Sequence, residues 1–321
     1  MPTTRAGHHG DVSYVFEDAG FNTSPTDEEF KNFGGNATLD TFDGSHNAVR
    51  VFNADRKAAD IIGQNFDGSW SITLEGFTEP PWWLAGLFGQ PVSSELTTGL
   101  YEHIYSIGDG NTPVPLRLYA PTEGFSDYRV LGGCVVASTS VDQDAESSPE
   151  ITVSGAYAGE PTREATLDPQ PPQFSQTSFS NRDATLTADG GTVGKAQSTT
   201  FDLSGNAEMI NEIGSEEAVD FTPRAFEPSV DFEKILWVGQ TTDPFDLFVN
   251  SGQFGLNLNY DNGASDTDQY AVDIDATGAL ANELTESGRN DPSADLTESL
   301  SNMVQDATAT ITVDADTPPG V

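Results

Sequence analysis

Four histidines, one cysteine and 51 aspartates and glutamates are the chemical stock of this 321-residue chain. Nucleophilic catalysis needs a serine or cysteine with a base beside it. His8 and His9 stand near the start, His46 follows a Gly-Ser pair and His103 sits in an alternating run; no G-x-S-x-G elbow supplies a nucleophile for any of them. Gly194 and Lys195 resemble the end of a phosphate-binding loop, but Asp189 takes the place of its first glycine and Ala196 that of its Ser or Thr. Asp261, Asp266 and Asp268 are candidate oxygen ligands for a hard cation. Their spacing fits no EF-hand loop, and Asp-rich turns are expected throughout so acidic a chain. Trp82 and Trp83 could stack a sugar or a base, yet directly after Pro80 and Pro81 they fit better as the apolar face of a short helix packed on a sheet. A glycoside hydrolase needs two carboxylates about 5–9.5 Å apart across a cleft, and the sequence leaves that pair open. Cys134 alone forms neither an internal disulfide nor a cysteine-based zinc site. The expectation is a protein with no catalytic residues, no cofactor and no resident metal.

Charge narrows the field further. Thirteen Lys and Arg leave a formal net charge of -38 at pH 7, so a reader of nucleic acid through phosphate contacts is excluded. The acid is spread along the chain, and the only lysines are Lys31, Lys57, Lys195 and Lys234. Self-repulsion on this scale is removed where the Debye length shrinks to about 3 Å at molar salt, which points to a halophile's protein. No stretch approaches the roughly 20 apolar residues of a membrane helix, and the first ten residues lack the apolar core of a signal peptide, so neither membrane nor secretion is expected.

The elements that must carry these residues are mostly strands. Trp70, Ile72 and Leu74 alternate with Ser71, Thr73 and Glu75; Leu256, Leu258 and Tyr260 alternate with Asn257 and Asn259; Val272 and Ile274 alternate with Asp273 and Asp275. Period two with one apolar face marks half-buried strands. Short helices are predicted over 55–64, 80–88, 242–249 and 294–303, the second and third with proline at their start. The order of signals then recurs about 160 residues on. A strand at Ser69–Glu75, a Pro81 helix start, Leu100–Tyr105, a glycine turn and Val114–Tyr119 make one series; Val230–Leu236, a Pro244 helix start, Leu256–Tyr260, a glycine turn and Tyr270–Asp275 make the other. Residues 159–173 carry four prolines and suit a linker. The predicted organisation is an N-terminal arm (1–33), a first β domain (34–158), the linker, a second β domain (174–316) and a short tail (317–321). In the arm, Tyr14, Val15, Phe16, Phe21 and Phe30 are isolated apolar anchors in a polar background, suited to a segment that orders on a neighbouring subunit.

The runs Leu100–Tyr105, Pro113–Leu118, Tyr128–Ser138 and Ile151–Ser154 resemble the first half of the major tail tube protein of long-tailed (siphovirus-like) viruses, and Gly191–Phe201 with Asp231–Leu236 resembles its second half. The resemblance covers most of 34–315. It implies a mainly β fold of two tandem tail-tube-like β-sandwich or barrel domains, each with short flanking helices. It also implies a structural virion protein with no catalytic residues, assembled in the host cytoplasm. Its subunits stack as rings into a tube, with other tail proteins at the ends and DNA passing through without specific binding. Duplicated members are expected as trimers with pseudo-sixfold symmetry, with hexamers as the alternative. The acidity adds a halophilic archaeal host to the expectation. The competing reading is a secreted or surface-layer carbohydrate-binding β protein of a halophile.

Overall fold

A computed structural model describes residues 12–25, 29–34, 37–52, 58–108, 111–121, 127–164, 179, 182–212, 215–236, 243–250, 252–288 and 295–314, with backbone alone at 46–52, 58–65, 67 and 266. The first half runs β1 (Ser13–Phe16), β2 (Lys31–Asn32), β3 (Thr38–Phe52), β4 (Ala58–Glu75), a 3-10 turn (Trp82–Leu84) into α1 (Ala85–Phe88), β5 (Val92–Thr97), β6 (Leu100–Ser106), β7 (Leu116–Pro121), β8 (Tyr128–Asp144), β9 (Glu150–Tyr157) and β10 (Thr162–Glu164). The second half runs β11 (Ala184–Ala188), β12 (Gly191–Thr192), β13 (Ala196–Ser204), β14 (Glu208–Asn211), β15 (Ala218–Thr222), β16 (Ser229–Ile235), α2 (Pro244–Asn250), β17 (Phe254–Asp261), β18 (Ala271–Ser287), β19 (Thr297–Met303) and β20 (Asp306–Val313). The mainly β class is as expected.

The strands form three large antiparallel sheets and one small hairpin, β14–β15. One sheet has the order β2-β1-β7-β8-β10 and another β12-β11-β17-β18-β20-β6-β5. The third, central to everything below, has eight strands in the order β3-β4-β9-β8-β13-β16-β19-β18. The 17-residue strands β8 and β18 each serve two sheets. Each bends near a glycine with positive φ, Gly133 at 60° and Gly278 at 66°, a conformation that a residue with a Cβ adopts only with strain.

Alternation fixes which face is inside. Trp70, Ile72 and Leu74 of β4, Ile151 and Val153 of β9, Phe201 and Leu203 of β13, and Val230 and Phe232 of β16 are all buried in one continuous core. At the closest packing, a Cβ on Gly155 would lie 1.8 Å from the Val135 carbonyl oxygen, so β8 and β9 approach only because β9 has no side chain there.

Two of the predicted helices are strands. Residues 58–64 belong to β4, paired along β3, while 55–57 lie outside the described residues. In 297–303 the helical spacing of Leu296, Leu300 and Met303 gives way to period two: Glu298, Leu300 and Asn302 turn inward as β19 pairs on both sides. The proline-led helices do form. The residues 165–173 of the predicted linker lie outside the described residues; its first part contains β10, paired with β8.

Candidate functional site: one polar sheet face and two open edges

The eight-stranded sheet turns a second face away from the core, and its composition is unlike that of the chain as a whole. Residues directly opposite on paired strands share a face, so the outward rows can be followed across the sheet. One row is Thr41, Ser71, Ser154, Ser138 and Ser204. The next is Thr73, Thr152, Ser140, Asp202 and Ser229. A third is Glu75, Glu150, Asp142, Thr200, Asp231, Ser301 and Glu283. A fourth is Asp144, Ser198, Glu233, Ser299 and Thr285. These rows hold hydroxyls and carboxylates and not one Lys or Arg.

Hydroxyls tie the face together. Ser138 and Ser154 share a hydrogen bond of 2.7 Å between their Oγ atoms, Thr200 Oγ1 donates to Asp142 Oδ1 at 2.5 Å, and Ser140 Oγ donates to Asp142 Oδ2 at 3.2 Å. Burial pushes the Asp202 carboxyl up from its ordinary range, a hydrogen bond from Ser140 opposes this, and Asp142 and Asp231 push it further up. Glu75, Glu150 and Asp142 stand side by side across three strands, a like-charge arrangement that ordinary ionic strength penalises.

The sheet ends in two strands paired on one side only among the described residues. β3 pairs with β4 alone, and the 280–287 part of β18 pairs with β19 alone. The mid-sheet joint between the halves is made by the same kinds of strand. β8 meets β13 with Ser138 opposite Ser204, Ser140 opposite Asp202 and Asp142 opposite Thr200. The edge strand β3 contains Thr41-Phe42-Asp43-Gly44-Ser45 and β13 contains Thr200-Phe201-Asp202-Leu203-Ser204, alike at four of five positions. Beneath the joint, the second half covers α1: Phe88 meets Phe226 with ring centroids 5.5 Å apart, and a Cβ on Gly205 would lie 2.7 Å from Leu87 Cδ1. The β5–β6 hairpin also crosses over to extend the second half's sheet at β20.

The residues singled out for chemistry have structural duties. Trp83 is buried in the core and Trp82 packs edge-on against His103 at 5.1 Å, so neither offers a stacking platform. His103 is fully buried, with Nδ1 2.8 Å from Ser93 Oγ. Asp261 Oδ1 accepts the Gly263 N–H at 2.7 Å and Asp268 accepts through its backbone carbonyl from Asn262 Nδ2, so these residues shape a turn. The side chain of Asp266 lies outside the described part, and no group of three or more His, Cys, Asp or Glu able to hold a metal occurs among the described residues. Asp273 and Asp275 face Asn257 and Asn259 on a different sheet from the eight-stranded one.

The arm also departs from expectation. Tyr14, Val15 and Phe16 form β1, paired with β7 of the same chain, and all three are buried there. Phe30 packs on Tyr119 at 4.9 Å and Phe21 on Phe221 at 5.5 Å. These side chains are therefore occupied at home instead of reaching for a neighbour. The reason is local: Val12–Phe16 is buried on both faces between β2 and β7, anchored by Glu17. Its carboxylate accepts from Gly133 N at 3.0 Å and Asn22 N at 2.6 Å, and lies 3.2 Å from Arg117.

The sequence profile of the family described as phage tail tube protein matches residues 10–315. A solved structure described as the anti-feeding prophage cap, a tube-terminating cap studied by cryo-EM, is similar at 15% identity and a TM-score of 0.32, over 45% of this chain and 96% of its own. No curated protein sequence matches the chain.

Proposed function

The chain belongs to the phage tail tube protein family, and from that premise we propose that its copies close into rings that stack as the tail tube, with the polar sheet face lining the bore through which the genome passes. The protein is a virion component, and its work in this reading is structural, not catalytic. The observation that carries the reading is the joint between β8 and β13. It unites four strands (β3-β4-β9-β8) with four more (β13-β16-β19-β18), and the sheet's two ends present the same two kinds of edge again.

The halves are taken as two copies of one unit, consistent with their shared order. β1 lies between β2 and β7 as β11 lies between β12 and β17; β10 flanks β8 as β20 flanks β18; a short helix follows β4 and β16 alike. A head-to-tail joint that recurs closes into a ring if the rotation is right, and closure leaves no strand edge exposed to aggregation. Three duplicated chains then give six quasi-equivalent units. Phosphates sliding past a wall whose described rows hold no Lys or Arg meet no partner there that would release counterions and hold them. The acidity elsewhere is read as adaptation to molar salt, and the host as a halophilic archaeon.

Electron microscopy and native mass measurement of the purified chain in molar salt test this. Tubes or rings built from three chains are expected; a chain that stays monomeric at every salt and protein concentration overturns the reading.

A further inference from the structure

We propose that the outer face of α2 is the seat of the next copy in the ring, with Phe245 and Phe248 docking on a second copy's chain around its Phe66. This rests on the ring reading above and adds what holds each joint on the side of the sheet away from the bore. Phe245 is 48% exposed, Phe248 38% and Val249 55%, three apolar side chains within five residues of one short helix. α2 packs against β18 and β19, so the cluster stands beside the open edge of the eight-stranded sheet.

The occupant follows from the joint inside the chain. α1 stands beside β8 and ends in Leu87-Phe88; α2 contains Leu247-Phe248. Phe88 is fully buried because the chain that pairs with β8 continues over the helix and brings Phe226 onto it. Phe226 precedes Val230 of β16 by four residues, as Phe66 precedes Trp70 of β4. A copy whose β3 pairs with β18 thus carries the start of its β4 toward Phe248; the Phe66 ring itself is buried on Tyr157 of its own chain, so the contact falls beside it. The two joints differ in one respect. The internal one has the β5–β6 hairpin as an extra clasp on β20, whereas α2 ends at Asn250 and β17 begins at Phe254, leaving no room for a hairpin. The α2 contact is accordingly the main apolar one at the joint between copies.

The test is the full-length Phe245→Ser/Phe248→Ser variant beside the wild type in molar salt, read by sedimentation and thermal melting. The melt should be unchanged and the concentration at half-assembly should rise at least tenfold. In parallel, a photo-crosslinking residue at position 248 of the otherwise unaltered chain should capture a peptide containing Phe66 from another copy. If the wild type forms rings while the variant assembles at the same midpoint, or if the crosslink falls elsewhere, the docking inference is wrong and the ring reading survives. If the wild type forms no rings, the ring reading itself fails. A variant that unfolds leaves the decision to the crosslink.

Discussion

If the sheet's open ends join as β8 joins β13, Asp43 of one copy lies opposite Thr285 of the next, and two cysteines placed there must find each other. The register comes from the ladders. Asp43 faces Ser69 as Asp202 faces Ser229, and Ser138 faces Ser154 as Glu283 faces Ser301, each just after a bulge. The internal pair Asp202–Ser140 therefore maps onto Asp43–Thr285. Side chains directly opposite in an antiparallel pair have Cβ atoms roughly 4.5–5.5 Å apart, against about 7–8 Å for diagonal neighbours. A disulfide spans Cβ separations of about 3.5–4.5 Å, so strand breathing closes the first gap but not the second. A slip of one residue sends one cysteine to the other face. Both positions are exposed in the single chain, and the native Cys134 is buried and does not compete. After mild oxidation in molar salt, the Asp43→Cys/Thr285→Cys variant should run on a non-reducing gel as covalent multimers ending at three chains. The Asp43→Cys/Leu284→Cys variant should stay monomeric. Equal crosslinking of the two pairs, or none at Thr285 in a preparation that visibly forms rings, refutes the register argument.

Three further outcomes are expected. Phe88→Ala empties a fully buried site between the halves and should lower unfolding stability by about 3–5 kcal/mol in urea melts. Burial raises the Glu17 carboxyl to about 7 from its ordinary 4.5, outweighing Arg117 and the two backbone donors. The folded chain thus binds that proton more tightly than the unfolded one, and stability should fall as pH rises from about 4.5 to 7, by on the order of 3 kcal/mol, then level off. Urea melts across that window should show a distinctly steeper slope in the wild type than in Glu17→Gln, the remainder coming from the other buried carboxyls such as Asp202. Glu150→Gln removes the middle of three adjacent carboxylates and should raise stability by roughly 0.5 kcal/mol at low ionic strength, a gain that disappears in molar salt.

Period two made the class legible, because Trp70-Ile72-Leu74 and Leu256-Leu258-Tyr260 can bury one face only as strands. Pro81 and Pro244 likewise announced the two helices. Local spacing failed where pairing partners are distant. Ala58–Gln64 and Thr297–Met303 carry apolar residues at helical intervals, yet each lies along a neighbouring strand whose ladder outweighs that preference. In the arm, Val12-Ser13-Tyr14-Val15-Phe16 is a continuous run of the kind that marks a strand buried on both faces, not a set of isolated anchors. The predicted series set Leu100–Tyr105 beside Leu256–Tyr260, whereas in the two-copy reading β17 answers to β7 and the β5–β6 hairpin has no counterpart, and residue identity is no guide even at matched positions. Leu74 faces Ile151 in the first half, while Lys234 faces Glu298 in the second, both buried, with burial pushing the lysine down and the glutamate up. The open edges could not be read from sequence, since an edge is defined by the strand that fails to arrive. The Thr-Phe-Asp pentapeptides of β3 and β13 were the one available clue.

Salt adaptation and passage of a polyanion make different demands, and the polar face separates them. A surface shaped only by molar salt should favour carboxylates over other polar side chains wherever solvent reaches. The rows of the eight-stranded sheet instead favour hydroxyls, and the row Thr41, Ser71, Ser154, Ser138 and Ser204 contains no acid at all. Carboxylates directly opposite one another repel across every ladder, and on a closed barrel that repulsion would be repeated around the whole circumference. Short neutral side chains avoid it, and threonine is moreover a good strand former. What the described rows leave out is cations, for which a phosphate would pause. In the ring reading, the acid of the loops answers to the solvent outside, while the rows of hydroxyls and carboxylates, free of Lys and Arg, answer to the DNA that must move along them without being held.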